Sequence, residues 1–175
     1  MGLDMYLYAK KYVSGIDWTR NADGGYDRWE NTDLDTIAST VGLTRADLDQ
    51  DTPSATVELK VGQWRKANQV HQWFVDNVQD GEDHCKEYYV SRDDLKNLRD
   101  TCREVLDMRD RQEANPDEAL PTADDILPVS EGFFFGSYEY DEYYYEQVQY
   151  TYDLLDRLLS NEKFKEFDFA YDSSW

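Results

Sequence analysis

The order of apolar and polar positions along the chain predicts alternating strands and helices. From Leu3 to Val13 apolar and polar side chains alternate with a period of two, which indicates a β-strand. The stretch 14–32 is rich in Gly, Asn and Asp, and we expect a long loop there. A short helix over 32–41 and a second strand over 55–62 are predicted to follow.

Three longer helices are predicted in the rest of the sequence. Apolar residues recur at helical spacing from Trp64 to Val78, and Asp80-Gly81 is a typical helix stop. Ser91 and Asp94 predict a capping box for the second helix. Its buried stripe is predicted to consist of Leu95, Leu98, Cys102 and Val105. A last helix is expected over about 139–159, with a core stripe of Tyr144, Val148, Tyr152, Leu155 and Leu159.

Short strands are also predicted over 86–90, 133–135 and 167–175. Phe133, Phe134 and Phe135 stand between two glycines, and successive strand residues point to opposite faces. All three rings can be buried only if both faces are covered, so we expect a central strand. About five short strands and three main helices predict an α+β fold in a single compact domain, with a mixed or antiparallel sheet.

The composition is strongly acidic, and the excess charge is unevenly distributed. The chain has 38 acidic and 18 basic side chains, a formal net charge of −20. The stretch 30–59 has seven acids against one base and 110–146 has eleven against one, whereas 60–109 is nearly balanced. Such a surface repels nucleic acids and anionic lipids and suits a cationic partner. A proteome-wide preference for Asp explains the same composition without any binding function.

Other compositional features favour a cytoplasmic protein. Two cysteines, Cys85 and Cys102, are too few for a disulfide framework and fit a reducing compartment. No apolar run approaches the roughly 18 residues needed to span a bilayer. The first residues lack the apolar core of a signal peptide. We therefore expect a cytoplasmic protein that does not bind membranes.

Several motifs resemble a family of small proteins of tailed bacteriophages and prophages. They are Met1-Gly-Leu-Asp-Met-Tyr6, Trp64-Arg-Lys-Ala-Asn68 with His71 and Trp73-Phe74, Glu87-Tyr-Tyr-Val-Ser91, Leu120-Pro-Thr122 and Gly132-Phe-Phe-Phe-Gly-Ser137. The resemblance covers most of the chain and is weakest over 14–55. It implies a phage accessory role in the host bacterial cytoplasm. It implies no particular activity, cofactor or catalytic residue.

An aromatic and acidic block in the last predicted helix is the main candidate for partner binding. On a helical wheel its carboxylates share one face with two tyrosines, opposite the core stripe. Tyr is a frequent interface anchor, and carboxylates complement Arg and Lys of a partner. The candidate partner-binding residues are Glu139, Glu142, Tyr143, Glu146, Tyr150 and Asp153. A solvated helix face is the alternative interpretation.

A second candidate site lies at the predicted start of the helix over 64–78. Basic side chains beside Trp, at a helix N-terminus whose amides point outward, suit a nucleotide-like anion. The candidate ligand-binding residues are Trp64, Arg65, Lys66, Asn68 and His71. The alternative is that Trp64 and His71 pack in the core while the basic residues pair with neighbouring acids.

A third candidate is the turn 80–85, which combines carboxylates with an imidazole and a thiol. Carboxylate oxygens suit Mg²⁺ or Ca²⁺, and a His-Cys pair suits Zn²⁺. The candidate metal ligands are Asp80, Glu82, Asp83 and His84. Their spacing matches neither an EF-hand nor a closed zinc site, so a solvated turn is the alternative and no resident cofactor is expected.

These features support three functional hypotheses. The first is a non-enzymatic protein that binds a basic surface of a host protein, as a counter-defence or host-takeover inhibitor; its sharpest form is a nucleic-acid mimic. The second is a protein that binds or sequesters a nucleotide-like anion. The third is a carboxylate- or metal-dependent hydrolase, for which the sequence contains no complete catalytic motif. Direct nucleic-acid binding is not expected.

Overall fold

The computed structural model describes residues 2–130, 132 and 136–175. The strands are β1 (Asp4–Ser14), β2 (Ile16–Arg20), β3 (Tyr26–Glu30), β4 (Ser54–Arg65), β5 (Tyr88–Val90) and β6 (Asp168–Ser174). The helices are α1 (Thr32–Thr40), α2 (Asn68–Val78), α3 (Arg92–Ala114), α4 (Ala123–Ile126) and α5 (Glu142–Ser160). Single 3₁₀ turns occur at Arg45–Asp47 and Glu162–Phe164.

Two antiparallel sheets account for the described strands, which confirms the α+β class predicted from the sequence. The larger sheet has the strand order β4-β1-β6-β5, and the smaller one pairs β2 with β3. The described chain divides into two compact units. The larger unit comprises Met1–Ala9 and Leu59–Trp175, and the smaller unit comprises Lys10–Glu58. The expectation of a single domain stays a prediction.

The core of the larger unit joins the four-stranded sheet to α2, α3 and α5. Met5 and Leu7 of β1 are fully buried, as is Leu3 just before the strand, because alternate residues of an extended chain point to the same face. The predicted stripe on α3 is buried along its whole length, and the capping box of Ser91 and Asp94 is present. Burial raises the pKa of the Cys102 thiol, so this side chain acts as a small hydrophobic group.

Aromatic rings connect α2 to the strands of this core. The rings of Phe74 on α2 and Tyr171 on β6 stack with centroids 3.9 Å apart and planes 12° from parallel. The edge of Trp64, on β4, lies against Phe74 with a centroid separation of 6.2 Å. All three side chains are almost completely buried, so one ring cluster fixes the helix to the sheet.

The predicted helix start at Trp64 is wrong. β4 continues to Arg65, and α2 begins only at Asn68. Between them Lys66 has a φ of 57°, a left-handed conformation that ends the strand and cannot form part of a right-handed helical turn. Trp64 is therefore a buried strand residue, and its Nε1 donates to Thr151 Oγ1 at 2.8 Å.

The long loop predicted over 14–32 is also wrong, because most of it forms a β-hairpin. β2 and β3 pair antiparallel, with Trp18 opposite Arg28. The residues that suggested a loop form the hairpin turn: Gly24 has a φ of 83°, and Gly25 N donates to Asn21 Oδ1 at 2.8 Å. The hairpin belongs to the smaller unit, where its large aromatic side chains are exposed.

Arg45 joins distant segments of the smaller unit. Its guanidinium donates to Asp35 Oδ1 at 2.8 Å, to Asn31 O at 2.7 Å and to Gly15 O at 2.9 Å. Charge-assisted bonds of this kind are stronger than neutral ones. A capping box formed by Thr44 and Asp47 places Arg45 at the start of its 3₁₀ turn.

The last predicted helix begins later than expected. α5 starts at Glu142, with Asp141 as its N-cap accepting from Tyr144 N at 3.0 Å. Tyr144, Val148 and Leu155 of the predicted stripe are buried, whereas Tyr152 and Leu159 are half-buried. The remaining strand predictions are confirmed with shifted ends, as β5 and β6.

The predicted strand of Phe133, Phe134 and Phe135 lies outside the described residues, so its central position stays a prediction. Gly136, which follows it, has a φ of 108°. A Cβ added at Gly136 would lie 2.9 Å from Lys66 O, so only glycine permits this approach of the two backbones.

Candidate functional site

Most of the predicted partner-binding residues converge on one groove between α5 and α3. The groove has a volume of about 420 Å³. Four of its lining residues were predicted from the sequence, namely Glu142, Glu146, Tyr150 and Asp153. They lie on one face of α5 because residues three or four positions apart are neighbours on a helix. We call this surface the acidic groove; its other lining residues are Leu106, Arg109, Tyr145 and Gln149.

Arg109 on α3 shows how the acidic groove accommodates a guanidinium. Its Nη2 lies 3.1 Å from Glu142 Oε2, and its Nε lies 3.2 Å from Glu113 Oε1. The guanidinium carbon is 4.4 Å from the centroid of the Tyr145 ring, within the range of a cation–π contact. Carboxylates and an aromatic ring thus surround one arginine side chain at the edge of the groove.

Two further carboxylates in the acidic groove have no cationic partner among residues 2–130, 132 and 136–175. Glu146 and Asp153 are exposed, and neither forms an ion pair with a described residue. Gln149 Nε2 donates to Asp153 Oδ1 at 3.0 Å and holds that carboxylate at the groove. These two side chains are available to a cation from outside the chain.

Tyr143 and Tyr150 bind the edge of the larger sheet rather than presenting free hydroxyl groups. Tyr143 Oη donates to Arg65 O at 2.5 Å, and Gln63 N donates to Tyr150 Oη at 3.4 Å. Both partners belong to β4, the terminal strand of the sheet order, whose outer backbone groups require partners. Burial, together with nearby Glu146, raises the pKa of Tyr143, which keeps its hydroxyl protonated. Tyr150 lines the acidic groove and Tyr143 does not.

Glu139 is not part of the helix face to which it was assigned. It precedes α5 by three residues, and its backbone N–H donates to Ser137 Oγ at 3.1 Å. Sequence periodicity extended the helix too far because the acidic and aromatic pattern continues through the loop before Asp141. The structure therefore separates Glu139 from the acidic groove.

The five candidate residues for an anion do not form one site. Trp64 is buried in the ring cluster, and the Arg65 guanidinium is largely exposed, 3.9 Å from Asp4 Oδ1. The side chain of Asn68 is buried; its Nδ2 donates to Ser137 O at 2.8 Å, and its Oδ1 accepts from Ser130 N at 3.1 Å. Asn68 thus holds the chain on both sides of the Phe133–Phe135 segment. The predicted anion site required a helix N-terminus at Trp64, but α2 begins only at Asn68.

His71 belongs to a buried polar chain instead. Its Nδ1 lies 2.7 Å from Tyr171 Oη, and its Nε2 lies 3.1 Å from Asp83 Oδ1. Trp175 Nε1 donates to the same Asp83 oxygen at 3.2 Å. The arrangement fits a neutral imidazole that carries its proton on Nε2 and accepts from the tyrosine hydroxyl.

We expect the free energy of unfolding to fall as the pH is lowered below about 6.5, the ordinary pKa of His. Burial lowers the pKa of His71, although nearby Asp83 acts in the opposite direction. Below about 6.5 the unfolded chain therefore binds more protons than the folded one. The contribution of neutral His71 to the free energy of unfolding is complete above about pH 6.5 and is lost as the pH falls towards the pKa of His71 in the folded protein. Tyr171, which faces the same ring, stays neutral because burial raises its pKa.

Urea denaturation at pH 7.5, 6.5 and 5.5 measures this effect. His71→Gln should flatten the dependence over this range, whereas His84→Gln, which changes an exposed imidazole, should preserve it. If the free energy of unfolding of His71→Gln fell with pH as steeply as that of the parent protein, the pH dependence would arise from groups other than His71.

The candidate metal ligands point in different directions. Asp83 faces His71 and Trp175, whereas His84 Nε2 pairs with Glu82 Oε2 at 3.1 Å. Asp80 is exposed and has a φ of 55°. Asp80 and Gly81 together form the turn after α2. Within the part of the chain that the structure describes, no group of three or more His, Cys, Asp or Glu side chains is arranged to hold a metal ion.

The α3 side of the acidic groove is not apparent from the sequence pattern. Leu106 and Arg109 lie beside the buried stripe of α3, one turn beyond Cys102 and Val105. Their position next to that stripe is the one signal that could have placed them near a packed helix. The partner helix could not be identified from it.

Each described helix is too short or too polar to cross a membrane. Comparisons of the chain with protein-family models, curated proteins and solved structures gave no match.

Proposed function

We propose that this protein binds a basic surface of a partner protein through the acidic groove. The observation that supports the proposal is the convergence of Glu142, Glu146 and Asp153 on one groove with the rings of Tyr145 and Tyr150. Carboxylates provide charge complementarity, and aromatic rings provide contact area with little conformational entropy to lose. A lysine or arginine side chain fits this combination.

The internal contact of Arg109 supports the same chemistry. The protein already binds one guanidinium there, between two carboxylates and the Tyr145 ring. Glu146 and Asp153 extend the same arrangement along α5 towards solvent. A partner that presents two or more cations in a row would engage these carboxylates without displacing Arg109.

In its sharpest form, the proposal is that the protein inhibits a basic nucleic-acid-binding protein of a bacterial host by occupying the surface that contacts phosphates. The resemblance of the sequence to proteins of tailed phages, and the net charge of −20, favour this form. Carboxylates along a helix face provide a row of negative charges, as phosphates do along a nucleic acid.

Fluorescence anisotropy with a labelled nonapeptide of lysine tests the proposal. The double substitution Glu146→Gln/Asp153→Asn should weaken binding about two- to thirtyfold, because each of two exposed ion pairs contributes roughly 0.2–1 kcal/mol. It should also reduce the dependence of the affinity on salt between 50 and 200 mM.

The matched control is Asp117→Asn/Glu118→Gln, which removes the same charge from an exposed loop between α3 and α4. We expect this variant to bind the peptide as the parent does. Equal weakening in both double variants would mean that the peptide responds to overall charge, and the acidic groove would then have no specific role.

A further inference from the structure

A second groove lies between α2, α3 and the segment 126–128, and it shares no described lining residue with the acidic groove. It has a volume of about 240 Å³, which is sufficient for a small ligand. Helical spacing places Gln69, Gln72, Trp73 and Asp76 on one face of α2. Thr101 of α3 and the segment 126–128, which includes the end of α4, complete the walls. We call this cavity the α2 pocket.

The amide and hydroxyl side chains of the α2 pocket each use one donor proton within the protein, whereas most of their oxygen lone pairs stay available to a ligand. Each of these side chains donates a hydrogen bond within the protein. The bonds run from Gln69 Nε2 to Tyr144 O (3.4 Å), Gln72 Nε2 to Asp76 Oδ1 (2.8 Å), Asn77 Nδ2 to Trp73 O (2.8 Å) and Thr101 Oγ1 to Asn97 O (2.9 Å). The Thr101 hydroxyl has therefore used its proton, and the Asp76 carboxylate keeps most of its lone pairs.

Asp76, which is exposed, is the one charged residue among the described residues that line the α2 pocket. It forms no ion pair with any residue that the structure describes, although the chain carries 18 basic side chains. The half-buried Trp73 and the apolar side chains of Ile126 and Pro128 lie beside it. The α2 pocket thus combines an exposed carboxylate that has no ion-pair partner among the described residues, an indole ring and apolar walls.

We propose that the α2 pocket binds a guanidinium group on a short apolar chain, with Asp76 accepting its hydrogen bonds and Trp73 contacting its plane. A guanidinium is planar, carries five N–H donors and has no acceptor, which matches a lining rich in acceptors. Its positive charge is attracted both to the carboxylate and to an indole ring. This site is independent of the acidic groove and does not rest on the function proposed for it.

Isothermal titration with n-butylguanidine and with its neutral isostere n-butylurea tests the assignment. We expect saturable binding of n-butylguanidine, at least tenfold tighter than that of n-butylurea. Asp76→Asn should reduce the affinity for n-butylguanidine to that for the urea. The control Asp110→Asn, which removes an exposed carboxylate from α3, should leave both affinities unchanged.

A tripeptide Gly-Arg-Gly separates the two sources of a guanidinium. Affinity equal to that of n-butylguanidine would assign the α2 pocket to an arginine side chain of a peptide, and a loss of affinity would assign it to a free guanidine; both support the site.

Equal binding of the guanidine and the urea would overturn the proposal, as would equal losses in Asp76→Asn and Asp110→Asn. Asp76→Asn should still bind the lysine nonapeptide, so failure here is distinct from failure of the acidic groove.

Discussion

Replacing Phe74 with Ala is expected to lower the free energy of unfolding by about 3–5 kcal/mol. The side chain is fully buried and stacks on Tyr171 at 3.9 Å, with Trp64 at 6.2 Å and Trp73 at 5.5 Å. Truncation removes contacts to all three rings and leaves a cavity that rigid neighbours cannot fill. A domain typically has only about 5–15 kcal/mol of stability, so the loss is a large fraction of the total. Urea denaturation followed by circular dichroism measures it.

The control for this prediction is Tyr89→Ala, which truncates an aromatic residue on the edge strand β5. Tyr89 is 66% exposed, and its substitution should cost less than about 1 kcal/mol. A similar small loss for Phe74→Ala would mean that the ring cluster does not hold α2 to the sheet.

Segments with one buried face were predicted well because burial imposes a period on the sequence. β1 alternates between buried and half-buried residues, and α3 buries a stripe that ends at Val105. In both elements a neighbouring layer covers one side over the stretch that shows the period. The period therefore identifies both the type of element and the face that packs.

The boundary between β4 and α2 could not be predicted in this way. Trp64, Ala67 and Val70 are buried at intervals of three residues, which mimics a helix, although Trp64 belongs to a strand. The conformational change takes place at Lys66, and lysine rarely adopts a left-handed backbone. A glycine at this position would have indicated the break.

The acidic face of α5 was accessible to sequence analysis, but the groove was not. A helical wheel places Glu142, Glu146 and Asp153 together, whatever the surrounding fold. The groove additionally requires α3 to pack beside α5 and to contribute Arg109. The bonds that tie Tyr143 and Tyr150 to β4 depend on the same tertiary arrangement.

The buried chain through His71 depends on contacts that the sequence order does not indicate. Tyr171 is 100 residues from His71, and Trp175 is 92 residues from its partner Asp83. Core packing was the alternative to anion binding that the sequence offered for His71, and His71 is indeed fully buried. The sequence assigned Asp83 to a metal site because carboxylates close in sequence look like ligands, whereas the fold directs this one to an imidazole and an indole.

The largest expected effect on binding comes from reversing charge in the acidic groove. Glu146→Lys/Asp153→Lys should weaken binding of the lysine nonapeptide on the order of a hundredfold, because like charges facing each other across an interface cost several kcal/mol. Neither carboxylate has an ion-pair partner among the described residues, so the substitutions should leave the fold intact. Thermal unfolding by circular dichroism provides that check.

The same substitutions placed elsewhere test the central claim most directly. Asp117→Lys/Glu118→Lys has the same net charge as the groove variant but changes a loop outside the acidic groove. Anisotropy titrations of both variants with the lysine nonapeptide at 50 mM salt should show a large loss of affinity for the groove variant and a loss of less than about threefold for the loop variant. Equal losses in the two variants would contradict the assignment of partner binding to the acidic groove.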